Sequence, residues 1–183
     1  MKRSLAVAIA LLAFPSTAAA VERQHHLGVG GSLSTLVIDD KSTASIGAGF
    51  ALHYAYGLND QFNLMAEVGS SVVAKGEKLE NKDTPHTRPA TVDQATVGVG
   101  YVIDILEFVP YIGLLGGAYR MDGGTLDKAI FLPGFALALG LDYQLSRHWA
   151  LGVAVRQHMF LTHTSTYPSY TTALLRAEYM WGF

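Results

Sequence analysis

In this 183-residue chain, His163, Thr164 and Ser165 come nearest to a reactive set. In an extended segment residues i and i+2 share a face, so the His163 imidazole would be placed to take the Ser165 hydroxyl proton and activate it for acyl transfer. Such a pair needs an acid to orient the imidazole, and no Asp or Glu lies between His158 and Ala177. Glu178 falls about seven residues down the next strand, roughly 20 Å below the pair at about 3.3 Å per residue. The set lacks its third member, and the stretch reads as a polar loop; no catalytic residue is assigned.

Other chemistry is sparser still. His25 and His26 are adjacent and the remaining histidines are scattered, so no converging metal-ligand set is expected. Cysteine is absent, which excludes thiolate zinc sites and disulfides. Gly47-Ala48-Gly49 and Gly98-Val99-Gly100 neither complete a G-x-G-x-x-G pattern nor open a helix, so no nucleotide or other cofactor is expected.

The elements that would have to hold any site are strands. Phe135, Leu137, Leu139, Leu141, Tyr143 and Leu145 alternate with Ala136, Ala138, Gly140, Asp142 and Gln144. Ile46, Ala48, Phe50, Leu52, Tyr54 and Tyr56 repeat that period of two, as do Trp149, Leu151, Val153 and Val155. Half of the residues are hydrophobic, yet no stretch after the N-terminal segment reaches the roughly 18 uninterrupted apolar residues of a spanning helix. The pattern predicts eight strands, near 24–36, 43–57, 61–74, 91–104, 109–121, 131–145, 148–161 and 171–183.

Connections after the even-numbered strands are short, around Asn59-Asp60, Leu106-Glu107-Phe108 and Ser146-Arg147, while the others are mostly longer, above all Lys75 to Ala90. That parity is the signature of a membrane barrel with short periplasmic turns and longer external loops. The expected fold is therefore all-β, an eight-stranded antiparallel up-and-down transmembrane β-barrel. Ahead of it, Lys2 and Arg3, the apolar run Leu5 to Phe14 and the closing Ala18-Ala19-Ala20 predict a signal peptide over 1–20, cleaved after Ala20, with the barrel domain over 21–183. Without Lys2 and Arg3 the chain carries 11 basic and 15 acidic residues, which argues against nucleic acid as a partner.

In a membrane barrel the large apolar residues face lipid and the other face looks inward. Glu67, Arg120, Asp142, Arg156, Arg176 and Glu178 all fall on the less apolar face. A charge on the lipid face at mid-membrane costs about 2–4 kcal/mol, so these six are expected in the lumen, at least some of them as a buried ion-pair network. Tyr54, Tyr56, Tyr101, Tyr111, Tyr143, Trp149, Tyr179, Trp181 and Phe183 gather near strand ends, as an interfacial aromatic girdle would.

The chain resembles the small outer-membrane barrels, the OmpA-like barrel domain and its OmpX- and OmpW-type relatives. Val109-Pro110-Tyr111-Ile112-Gly113 looks like the start of the family's fifth strand, and Gly140 to Tyr143 with Leu145 to Gly152 like its sixth strand, tight turn and seventh strand. Leu175, Ala177, Tyr179, Trp181 and Phe183 form a last strand with a terminal Phe; the resemblance implies that Tyr179, Trp181 and Phe183 are read by the barrel-assembly machinery. It further implies contact with outer-membrane lipid and lipopolysaccharide, a monomer, and, with no periplasmic peptidoglycan-binding domain expected, no cell-wall tether. Eight strands enclose a space that side chains fill, so a structural or surface-interaction role through the external loops is expected. A narrow or gated channel is the alternative. A lipid A hydrolase is a third reading, because an eight-stranded outer-membrane family that deacylates lipid A uses a His-x-Ser pair with an acidic partner.

Overall fold

A computed structural model describes residues 23–38, 43–73, 87–103, 105 and 107–182. The expected signal peptide, most of the Lys75 to Ala90 loop and Phe183 lie outside the described residues. The strands are β1 (His25–Ile38), β2 (Thr43–Gly57), β3 (Phe62–Val73), β4 (Thr91–Val102), β5 (Phe108–Asp122), β6 (Ile130–Gln144), β7 (Trp149–Phe160) and β8 (Ser169–Trp181). Each pairs antiparallel with its sequence neighbours, and β8 closes on β1 through a ladder that runs from His25 opposite Trp181 to Val37 opposite Ser169. Closure leaves no strand edge, which a backbone in hydrocarbon requires.

Alternation governs the burial. Along β7, Ala150, Gly152, Ala154, Arg156, His158 and Phe160 point into the barrel, while Leu151, Val153 and Val155 stand on the outer wall about half exposed. Apolar side chains left open on every strand make a continuous belt that only lipid can cover. β1 and β8 each run two residues further at the external end than their patterns predict, because Leu36, Ile38 and Tyr170 are held by an apolar cluster at that mouth.

The turns at the other end are built by local acceptors. Asn59 Oδ1 takes the amides of Gln61 and Phe62 at 2.9 and 2.8 Å, and Ser146 Oγ takes those of His148 and Trp149. Loop parity is less complete than the sequence suggested: the β1–β2 link spans only 39–42, as short as the periplasmic turns.

The periplasmic rim carries the aromatic girdle. His25 stacks on Trp181 at 5.2 Å and its Nδ1 lies 2.7 Å from the Tyr54 hydroxyl; Trp149 meets Tyr179, Phe62 meets Tyr101, and Phe108 meets Tyr143. Tyr111 is the exception to the expected girdle: it points inward and is buried, on the parity of Val109 and Gly113.

Depth sets the tolerance of the outer wall. Leu114→Arg, in the middle of β5, is expected to destabilise the barrel by about 2–4 kcal/mol in guanidinium unfolding from phospholipid vesicles, whereas Tyr143→Arg at the rim costs about 0–1 kcal/mol.

Candidate functional site

Inside the barrel, three layers stack along the axis. The external half is apolar and aromatic: Leu36, Tyr119, Leu132, Phe160, Tyr167 and Tyr170 pack in one buried cluster. Mid-barrel, Arg156 and Glu67 face each other across the lumen from β7 and β3, with Nη2 2.5 Å from Oε2, and Gln94 donates to Glu67 Oε1 at 2.8 Å. Both charged side chains are about 1% exposed, so neither charge has bulk water to fall back on. Nε and Nη1 of Arg156 have no protein acceptor among the described residues.

Nearer the periplasm, Arg176 is shared between two acids. Its Nε lies 2.6 Å from Glu178 Oε1, and its Nη2 donates to both oxygens of Asp142 at 2.9 and 2.8 Å. The guanidinium also lies 4.9 Å over the Tyr111 ring, whose plane fixes its height. Glu178 faces two imidazoles as well, with His26 Nδ1 3.4 Å and His53 Nδ1 3.5 Å away.

Glycine makes these meetings possible. Gly152 on β7 sits in register between Asp142 on β6 and Arg176 on β8, and a Cβ there would come within 1.9 Å of Asp142 Oδ1. Gly28 on β1 stands in the same way between His53 on β2 and Glu178 on β8, where a Cβ would come within 2.9 Å of both. Beside these groups is a cavity of about 30 Å³ lined by His26, His53, Tyr111, Asp142, Arg176 and Glu178, room for about one water.

Five of the six lumen candidates are therefore placed inside: Glu67 with Arg156, and Asp142 with Arg176 and Glu178. Arg120 is not among them. On β5 the inward positions are odd, so Arg120 projects from the outer wall, where it pairs with Asp93, its cross-strand partner, at 3.6 Å, and with Asp122. Ser70 donates to Asp93 at 2.6 Å and completes a polar patch at the external rim. The inward rule for charge holds at mid-membrane; within a turn of the interface its cost falls to about 0–1 kcal/mol, which is where Arg120 sits.

The sequence reading leaves the histidines as solvated or lumen-packed groups, and it sets neither His26 and His53 nor Gln94 beside the lumen ion pairs. For His53 the signal was present, since it alternates with Leu52 and Tyr54 on the face of Gly47 and Gly49. Tyr179 and Trp181 stand on the outer wall at the periplasmic end of β8. His163, Thr164 and Ser165 are all exposed in the β7–β8 connection, and no carboxylate joins His163 to Ser165 among the described residues. Among the described residues no metal-ligating cluster of three or more His, Cys, Asp or Glu occurs.

Removing Arg176 leaves two buried carboxylates facing one another. Arg176→Met is expected to destabilise the barrel by about 3–5 kcal/mol, while Arg156→Met combined with Glu67→Met, which removes both members of a pair, comes out near neutral; urea unfolding in detergent reads both.

A family model described as "Outer membrane protein beta-barrel domain" matches residues 6–181. No curated protein matches the chain. Among solved structures it is similar to Ail, the attachment invasion locus protein of Yersinia pestis, with 15% identity, a TM-score of 0.58, and coverage of 87% of this chain and 99% of that one. Ail has also been solved with the heparin analogue sucrose octasulfate. Neisserial surface protein A matches at 13% identity and a TM-score of 0.61 over 87% of this chain and 97% of its own. OprG of Pseudomonas aeruginosa matches at 15% and 0.58 over 88% and 98%. At such identities the likeness is one of fold.

Proposed function

Because the chain belongs to the outer membrane protein beta-barrel domain family, we propose that it is a non-enzymatic, monomeric barrel whose work is done at its outer surface rather than through its lumen. The family places it in the outer membrane; the surface role is the finer reading. One observation carries it: apart from the small cavity beside Arg176, side chains occupy the interior, with aromatic packing outside, the Arg156–Glu67 pair in the middle and Arg176 with its two acids below. A plugged cylinder offers partners its two rims and its wall, and external loops are where binding groups concentrate.

The wall meets lipid, and the rim patch of Ser70, Asp93, Arg120 and Asp122 lies at headgroup height, where lipopolysaccharide would contact it. The binding of a sulfated sugar by Ail, a barrel of the same architecture, is in keeping with a surface role. Tyr179 and Trp181, with Phe183, supply the last-strand signal for the barrel-assembly machinery, and residues 1–20 the cleaved export signal.

A second reading has its own observation. Arg176 divides its hydrogen bonds between Asp142 and Glu178 beside a small cavity in the periplasmic half, an arrangement that a gated conduit for small solutes would use. Planar-bilayer recording separates the two. The surface reading expects a folded, heat-modifiable protein that is electrically silent, and discrete conductance steps would replace it with the conduit. The hydrolase reading is tested separately: Ser165→Ala is expected to leave the lipid A profile of the cells unchanged, and a changed profile would make the protein an enzyme.

A further inference from the structure

At the external mouth, described segments of three connections hold one another. After β7 the chain turns at His163, which takes a φ of 56° and whose carbonyl accepts the amides of Thr166 and Tyr167 at 3.0 and 2.8 Å. A side chain other than Gly pays in strain for that left-handed conformation. The turn sends Tyr167 back into the barrel, where its ring is about 1% exposed among Phe160, Tyr170 and their neighbours. From there its hydroxyl donates to the backbone carbonyl of Thr87, in the β3–β4 connection, at 2.7 Å.

That β3–β4 segment is in turn clasped by the β5–β6 connection. Arg88 N donates to Thr125 Oγ1 at 2.9 Å and Thr125 N to Arg88 O at 2.8 Å. The approach is close enough to demand glycine: Gly124 has a φ of +67°, and a Cβ on it would come within 2.2 Å of Arg88 O. Leu126 and Ile130 then pack against the same apolar cluster that holds Tyr167.

We propose that residues 87–90, 122–130 and 160–169 form a single cap over the outer mouth, latched by Tyr167, so that withdrawing this one ring from the lumen releases segments on two other loops. The cap goes beyond the surface role and does not depend on which partner the surface meets. Tyr167 is a positioning residue: it presents the β3–β4 segment by holding its backbone from below. It also gives His163-Thr164-Ser165 a conformational purpose, as the turn that aims the latch.

The test is amide hydrogen exchange on the full mature barrel in phospholipid nanodiscs. In Tyr167→Ala, exchange at Arg88 and Thr125 is expected to rise by about tenfold or more, as for a local opening that has lost its anchor, while the amides of Val97 and Leu115 within the strands keep their rates. Tyr167→Phe, which keeps the ring and loses only the bond to Thr87, should give a smaller rise. Gly124→Ala should free the same amides from the opposite side, and adding Tyr167→Ala to it should gain little. Unchanged rates at Arg88 and Thr125 in Tyr167→Ala overturn the latch, as does an acceleration spread evenly through the strands. Effects of the two variants that multiply as independent sites overturn the single cap.

Discussion

Everything in this molecule follows from the ladder between β1 and β8. A strand in hydrocarbon cannot leave its amides and carbonyls unpaired, because nothing around it will accept or donate. Closing the sheet solves that at once for all eight strands, and fixes the interior as a narrow cylinder whose contents must pack or pair. The outer wall is then free to be as apolar as lipid demands, which explains why so many large apolar side chains stand open on its surface.

The interior answers the packing demand in two ways. Toward the outside, rings and aliphatic chains pack together from Leu36 to Tyr170. From the middle downward it is polar, and there each charge is neutralised at close range, since an unpaired buried charge costs far more than a paired one returns. Arg156 reaches across the lumen to Glu67, while Arg176 settles its charge on Glu178 of its own strand and on Asp142 two strands away.

Sequence carried the fold because lipid imposes a strict period of two, and that period survives in β2, β6 and β7 with hardly a break. It carried less of the site. Parity on β5 groups Arg120 with Ile112 and Leu114 on the wall; only its charge argues for the lumen, and charge alone says nothing about depth, so the wall tolerates it because the rim is close. Tyr111 failed in the opposite sense, since an aromatic near a strand end reads as girdle until its neighbours Val109 and Gly113 show that it points inward. The partner of Arg156 was not legible at all, because β3 and β7 meet only across the closed barrel. Tyr167 was hidden for a different reason: its local sequence is that of a polar turn, and only the αL conformation at His163 turns it inward.

Gly28 and Gly152 give the lumen a property that concerns its history rather than its stability. Each occupies the strand between two partners, and each is needed only because those partners reach over it. A lineage that replaces Gly152 with a larger residue loses the meeting of Asp142 with Arg176, and one that loses either charge no longer needs the glycine. The three positions are free to drift only together, so the polar interior should be inherited as linked triplets, while the lipid-facing wall changes one residue at a time.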